Sequence, residues 1–169
     1  TFRERVGLET MAWHGFSLFA EGEFSQAAVR DYHGGAAGAT PFDPANSVIA
    51  DPQTNELNQA YLKYSGYDTT ALGGRQRLIY DNAAFIGNVG WRQNEQTFDA
   101  VSLAFAKDED KLFYGYANRV QRIFGDNATG AAHEFKGDFH FIDGNMKTGF
   151  GQAGGYAYLV DVDNNANVG

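Results

Sequence analysis

Apolar and polar residues alternate along much of this chain with a period of two, as expected for β-strands whose two faces meet different surroundings. In residues 134–142, for example, Phe135, Phe139 and Phe141 share one side, and charged residues with His140 occupy the other. Residues 112–122 and 148–161 are predicted to be strands from their Tyr, Phe and Gly content, which does not show which side is apolar. The eight strands that we predict cover residues 3–9, 16–25, 58–64, 71–80, 100–106, 112–122, 134–142 and 148–161.

The connections between these strands alternate in length. Short turns at one end and long loops at the other are typical of outer-membrane β-barrels. We therefore predict an all-β fold, an antiparallel transmembrane β-barrel, with Trp13 beside the first short turn in an aromatic girdle at the membrane interface. The short connections are residues 11–15, 65–69, 107–110 and 143–145, and the long ones are residues 27–56, 81–96 and 123–132.

The direction of the chain ends predicts a piece of a larger barrel. Because short turns follow the odd-numbered strands, both ends of the eight-stranded unit fall on the long-loop side. Complete bacterial barrels usually keep their termini on the short-turn side. We therefore expect residues 1–169 to be an internal part of a single outer-membrane β-barrel domain, with residues 161–169 opening another long loop.

In such a barrel, the apolar faces contact lipid and the polar faces line an aqueous lumen. The alternation fits equally well a soluble eight-stranded ligand-binding β-barrel, whose apolar face points inward. A second alternative is an outer-membrane enzyme or adhesin whose long loops act at the cell surface. The predicted pore-lining residues are Arg3, Arg5, Glu9, Glu21, Glu23, Lys63, Arg75, Arg77, Glu134, Lys136 and Asp138.

Arg75 and Arg77 lie two positions apart in one predicted strand and should therefore project to the same side. Their guanidinium groups stay charged and suit the planar geometry of a carboxylate. These arginines either contact solute or brace the wall by pairing with Glu9, Glu21 or Glu23 across the lumen.

The long connection before the fifth strand carries Trp91, Arg92 and Glu95 among other polar residues. These side chains predict a constriction loop that folds into the channel. The alternative is a surface loop packed by Trp91.

Composition removes several other classes of protein. The net charge of −8 at pH 7 argues against a nucleic-acid binder, whose affinity comes largely from neutralised phosphates. The chain has no cysteine and hence no disulfide or thiolate metal site. No run approaches the roughly 18 consecutive apolar residues of a membrane-spanning helix.

No motif indicates catalysis, a metal or a cofactor. Residues 149–154 match the dinucleotide-binding fingerprint as a string, but a predicted strand follows where that fingerprint requires a helix. His133 and His140 lie an odd number of positions apart and so face opposite sides of their strand. No hydrolase-like order of Ser, His and Asp is present. We therefore predict a protein that is not an enzyme and uses no cofactor.

One segment is more specific than any periodicity. It runs from Gly74 to Leu78, continues through Asp81 and Asn82, and ends with residues 85–100, FIGNVGWRQNEQTFDA. Four further segments support it: residues 58–62, 118–120, 122–126 and 156–159. Together, these segments resemble the alginate-export family of Gram-negative outer-membrane porins.

The resemblance implies a monomeric barrel in the outer membrane of a Gram-negative bacterium, surrounded by outer-membrane lipid. Its polar, charge-lined pore would act as an ion channel for passive transport of polar or anionic solutes. An anionic polysaccharide such as alginate is one candidate solute. Members of the family are far longer than 169 residues, which places this chain in the N-proximal to middle part of such a barrel.

Overall fold

The computed structural model describes residues 1–80, 83 and 85–164. Within them, eight antiparallel strands form one sheet in which each strand pairs with its neighbours in sequence, from the first to the eighth. The predicted all-β antiparallel fold with eight strands is therefore confirmed. The strands are β1 (Phe2–Glu9), β2 (Phe16–Gln26), β3 (Thr54–Gly66), β4 (Thr69–Gln76), β5 (Thr97–Lys107), β6 (Asp110–Gln121), β7 (Glu134–Thr148) and β8 (Gly151–Val162).

Short and long connections alternate as the sequence predicts. The long ones are residues 27–53, 77–96 and 122–133, and the last contains a one-turn 3-10 helix, Gly130–Ala132. Residues 81 and 82 of the family-like segment, and 165–169 of the loop expected at the end of the chain, lie outside the described residues. No helix of the described part of the chain is long and apolar enough to cross a membrane.

The predicted turn at residues 143–145 is wrong, because β7 continues to Thr148. Asp143 pairs with Phe113 of β6 and with Tyr156 of β8 and so lies inside the sheet. The chain instead reverses at residues 149–150, where the Thr148 hydroxyl donates to the Gly151 carbonyl at 2.6 Å. Pairing on both sides of β7 thus overrides the local turn preference of the Asp-Gly-Asn sequence.

The two faces of the sheet differ in what lies against them. We call one the covered face, because Leu78, Ile86 and Glu95 of the β4–β5 connection pack on it. This face carries Glu21, Gln59 and Phe98. We call the other the open face, because its apolar side chains are exposed along the whole width of the sheet. Exposed open-face residues include Val6, Leu8, Leu18, Leu57, Leu62, Val101, Leu103, Leu112, Ile142 and Leu159.

The covered face contains the main hydrophobic core. Phe139 and Phe141 are each only 4 % exposed there and pack in one cluster with Phe98 and with Leu78 and Ile86 of the long connection. The sequence prediction, which placed the β7 phenylalanines on the lipid side, is wrong for these residues. Alternation gives the period of a strand but not the direction of its apolar side, and here β7 turns its apolar side towards the long connection.

The other two long connections, residues 27–53 and 122–133, contact each other. Ala36 and Ala39 of the first form a small buried cluster with Ala128 of the second. The backbone amide of Thr129 donates to the carbonyl of Ala37 at 3.2 Å. This contact joins the β2–β3 hairpin to the β6–β7 hairpin at the long-connection end of the sheet.

Replacing Gly38 with alanine should weaken this contact. A Cβ at this position would lie 2.0 Å from the carbonyl oxygen of Asn127, so the two connections must separate to admit it. Gly130 is a matched control, because it also has a positive φ but has no atom within 4 Å of an added Cβ. We expect Gly130→Ala to cost only the left-handed penalty of about 1–2 kcal/mol. Thermal unfolding should show a larger loss of stability for Gly38→Ala than for Gly130→Ala, and equal losses would contradict the contact.

Candidate functional site

A buried carboxylate on the β4–β5 connection marks the candidate site. Glu95 lies two residues before β5, and its side chain has no solvent exposure. The Arg77 Nε lies 3.0 Å and 2.9 Å from the two oxygens of Glu95, and the Arg77 Nη2 also donates to one of them. The Asn88 side-chain amide donates to the Glu95 Oε2 at 2.6 Å. The beginning, middle and end of the same connection therefore converge on one carboxylate.

The strands of the covered face complete the surroundings of Glu95. The Asn58 amide of β3 donates to the Glu95 Oε1 at 2.6 Å, and the Arg5 Nη2 of β1 lies 3.1 Å from the same oxygen. The Glu95 backbone amide donates to the Glu23 Oε1 at 3.2 Å, and Arg5 bonds the other oxygen of Glu23. These contacts bind the connection to the sheet.

A β-bulge explains how β3 supplies two adjacent side chains. Glu21 pairs with Gln59 and Gly22 with Leu57, so Asn58 is an extra residue in the ladder. The Asn58 and Gln59 amides both donate to the Glu21 Oε1, at 2.8 Å and 3.0 Å. The extra residue is what brings two consecutive side chains to the covered face.

The charges of the site nearly cancel. Arg5 and Arg77 face Glu21, Glu23 and Glu95, and the Arg77 Nη2 lies 3.5 Å from the Glu21 Oε1. Burial alone would raise the pKa of Glu95, but hydrogen bonds from Arg77, Asn58 and Asn88 outweigh it, so the pKa is lowered. The hydrogen bond to Glu95 in turn raises the pKa of Arg77. Both groups are therefore ionised at neutral pH.

The sequence model of a protein family described as alginate export matches residues 11–134 of this chain. The matched part is more than half of the chain and includes Asn58, Arg77, Asn88 and Glu95. The chain belongs to the alginate-export family. Comparison with curated proteins and with solved structures finds no significant match.

The alginate-export family is a family of β-barrel transport porins, so the eight strands are part of a barrel wall. Within the described residues this wall is not closed, because β1 and β8 do not pair. Among the same residues, His, Asp and Glu side chains nowhere gather in a group of three that could hold a metal ion.

Seven of the eleven predicted lining residues of this alginate-export chain lie on the covered face or against it. Besides the residues of the Glu95 site, Lys63 lies 3.6 Å from Glu9, and Arg3 donates to the backbone carbonyl of Arg92 at 2.9 Å. Their role in lining a pore stays a prediction. The seven are Arg3, Arg5, Glu9, Glu21, Glu23, Lys63 and Arg77.

The prediction that all eleven residues lie on one face of the sheet is wrong for the other four, which are Arg75, Glu134, Lys136 and Asp138. Arg75 pairs with Ala60 and Asp99 in the register, which places it on the open face, where its Nε donates to the Asp99 Oδ1 at 2.7 Å. Arg77 follows the last residue of β4, so the rule that residues two apart share a side does not apply to this pair.

The three β7 residues are on the open face because Phe135, Phe139 and Phe141 take the covered one. Glu134 accepts ion-pair contacts from Arg119 at 3.5 Å and from Lys136 at 3.0 Å. Asp138 accepts a hydrogen bond from the Tyr116 hydroxyl at 2.6 Å. These four residues thus belong to ion pairs and hydrogen bonds on the side away from Glu95.

The predicted constriction loop packs on the covered face through Glu95 and its neighbour Asn94, both buried. Arg92 lies 3.9 Å from Asp51 of the β2–β3 connection. Trp91 is 78 % exposed, so it does not pack the connection as the surface-loop alternative required. That this connection narrows a channel stays a prediction.

Sequence reasoning missed Asn58, Gln59 and Asn88 as partners of the charged residues. Asn58 and Gln59 belong to a segment that resembles the family, but nothing in their alternation shows the bulge that turns both to one face. Asn88 lies in the family-like segment 85–100, but nothing in its spacing points to Glu95, since only the folding of the connection brings it within 2.6 Å of Glu95.

Proposed function

We propose that this chain is part of a single outer-membrane β-barrel domain that forms a channel for passive transport of polar or anionic solutes. The barrel is monomeric and lies in the outer membrane of a Gram-negative bacterium. The covered face lines the aqueous lumen, and the open face contacts lipid. An anionic polysaccharide such as alginate is a candidate solute. The channel carries out no chemical reaction and uses no cofactor.

The single observation that carries this proposal is the contrast between the two faces. Leucine, valine and isoleucine side chains are exposed along the open face on nearly every strand. A continuous apolar surface of this kind is unfavourable in water but suits the hydrocarbon of a bilayer. The covered face carries charged residues along the strands, in ion pairs of Arg5 with Glu23 and of Lys63 with Glu9, whereas the ion-paired Arg75, Asp99 and Lys136 of the open face lie near the long connections. This distribution is the one expected of a barrel with a polar interior.

Aromatic residues at the short turns support the same orientation. Trp13, Tyr67 and Phe150 lie in or beside three of the four short connections, and all three are largely exposed. Aromatic girdles mark the membrane–water interface of outer-membrane barrels. At the opposite end of the open face, Arg75, Asp99 and Lys136 lie near the long connections, where polar headgroups would meet them.

The soluble eight-stranded barrel is not favoured. It requires hydrogen bonds between the first and last strands, and the sheet of the described residues has β1 and β8 at its two edges. It also requires the apolar residues of the open face to point into a core, whereas Val6, Leu8 and Val101 are each more than half exposed.

The full-length protein tests the proposal. We expect that it needs detergent for extraction and that it raises the conductance of planar lipid bilayers in steps. The same protein, heat-unfolded before addition, is the control for detergent effects. Recovery in buffer without detergent, together with an unchanged bilayer conductance, would exclude the channel.

A further inference from the structure

A row of charged side chains crosses the open face near its long-connection end. Arg75 of β4 pairs with Asp99 of β5, and Asp99 pairs with Arg119 of β6. Arg119 pairs in turn with Lys136 of β7. Arg75 is neutralised within this charged row, because its Nε and Nη2 donate to the two carboxylate oxygens of Asp99 at 2.7 Å and 3.2 Å. Arg119 and Lys136 instead share one carboxylate, that of Glu134.

The β6–β7 end of the charged row therefore has two cations on a single anion. The Arg119 Nη1 lies 3.5 Å and the Lys136 Nζ lies 3.0 Å from the oxygens of Glu134. The Arg119 and Lys136 side chains are 48 % and 49 % exposed, so both remain accessible to a further anion. Like charges directly opposite each other on neighbouring strands are unfavourable. An anion held between these two cations would remove that repulsion.

Aromatic side chains next to the charged row indicate its depth in the membrane. Tyr116 of β6 pairs with His140 of β7, and the centres of their rings lie 5.0 Å apart. The Tyr116 hydroxyl donates to Asp138 at 2.6 Å, on the long-connection side of His140. Tyrosine is enriched where a barrel meets the membrane–water interface. On the short-turn side of these rings, the open face carries the exposed Val101 and Leu103. The charged row thus lies at the level of the lipid headgroups.

A cavity of about 320 Å³ lies on the open face beside the charged row. Arg75, Asp99 and Asn118 form its polar side, and Val101 and Tyr116 form its apolar side. A polar rim above an apolar wall suits a molecule that joins a charged headgroup to a hydrocarbon chain. Because the long loops of outer-membrane barrels face the cell exterior, this molecule would be a lipid of the outer leaflet. In Gram-negative bacteria that leaflet consists largely of a glycolipid that carries phosphate groups.

We propose that Arg119 and Lys136 bind a phosphate group of an outer-leaflet glycolipid, and that the adjacent cavity holds the first part of one of its acyl chains. This inference rests on the proposed function, because it requires the open face to contact lipid and the long connections to face the cell exterior. The chemistry of the two side chains suits phosphate, since a guanidinium presents several donors to its oxygens and an ammonium adds a compact charge. The site anchors the barrel in the outer leaflet and takes no part in transport.

Binding of lipid A, the diphosphorylated anchor of this glycolipid, by the full-length protein in detergent tests the site. Native mass spectrometry counts the bound lipid and gives its apparent affinity. We expect Arg119→Gln combined with Lys136→Gln to weaken binding about ten-fold, the effect of losing one charge-assisted hydrogen bond. Lipid A from which both phosphates have been removed should bind the wild type and this variant equally. Inorganic phosphate at the same concentration should not compete, because it lacks the acyl chains that lie against the open face.

Lys107→Gln combined with Lys111→Gln is the matched control. It removes the same charge from the opposite ends of β5 and β6, at the short turn between them. This control should bind lipid A as the wild type does. Equal binding by the wild type and the Arg119 and Lys136 variant, or an equal loss in the control, would overturn the proposal. Competition by inorganic phosphate would overturn the choice of a lipid as the ligand.

Glu134→Gln keeps the proposal testable if the double variant fails to fold. Without the shared carboxylate, Arg119 and Lys136 lose their resident anion, so we expect lipid A to bind several-fold more tightly. A merely structural role of these ion pairs predicts unchanged or weaker binding, and that result would overturn the proposal. The measurement does not depend on conductance. A protein that conducts ions but binds lipid A equally in all variants would contradict this inference alone and leave the channel in place.

Discussion

Replacing Arg77 with methionine should lower the free energy of unfolding by about 3–5 kcal/mol, the cost of breaking a buried ion pair by removing one partner. Methionine keeps much of the side-chain length but leaves Glu95 buried with one guanidinium instead of two. Arg75→Met is the matched control, two positions away in the sequence. Arg75 pairs on the open face with Asp99, whose side chain is 25 % exposed where that of Glu95 has no exposure, and we expect a loss of about 1 kcal/mol.

Urea unfolding of the full-length protein in lipid vesicles measures both losses. The sequence alone predicts that Arg75 and Arg77 project to the same side, whereas the structure places them on opposite faces. Equal losses for the two variants would contradict the Glu95 site.

The pH dependence of stability should change with the same substitution. In the wild type, the pKa of Glu95 lies below its ordinary value of 4.5. The ionised carboxylate therefore contributes stability above that value, and this contribution is lost as the pH falls through the folded pKa. Burial raises the pKa of Glu95 and Arg77 lowers it, so we expect the pKa of Glu95 to be higher when Arg77 is removed. The stability that the protein gains when Glu95 ionises should then shrink or change sign. Unfolding measured in a series from well below pH 4.5 to neutral pH would show the difference.

Arginine at position 103 should destabilise the protein far more than arginine at position 104. Leu103 is on the open face and Ala104 on the covered face of β5, so the two substitutions place the same charge on opposite sides of one strand. A charged residue on the lipid side of an outer-membrane barrel costs about 2–4 kcal/mol near the bilayer midplane, whereas the lumen side tolerates it.

The free energy of unfolding from vesicles gives the comparison for Leu103→Arg and Ala104→Arg. A larger loss for Ala104→Arg would mean that the covered face is the apolar one in the folded protein. That result would reject the assignment of the open face to lipid, and with it the proposed channel.

The strands and the order of short and long connections could be predicted because both depend on local patterns. Alternation and turn-forming residues act over a few positions, and each strand pairs with the next in sequence. The exception at residues 143–145 shows the limit. Asp-Gly-Asn favours a turn in isolation, but pairing with β6 and β8 extends the strand through it.

Which side of each strand is covered by a long connection could not be predicted in the same way. Alternation shows that Phe139 and Lys136 lie on opposite sides of β7 but not which side the long connection covers. Bulges add a second obstacle, since the extra residue Asn58 turns two consecutive side chains to one face. The partners of Glu95 come from segments far apart in sequence, and only the folded connection brings them together.

The contact between residues 36–39 and 127–129 has a consequence for the order of assembly. The backbone amide of Thr129 is hydrogen-bonded to the carbonyl of Ala37 although four strands, β3 to β6, lie between them along the chain. Contacts of such high sequence separation form late, because the intervening loop must close first. The hairpins β2–β3 and β6–β7 must therefore be in place before their tips meet, which makes the joining of these tips one of the last steps in folding of this wall.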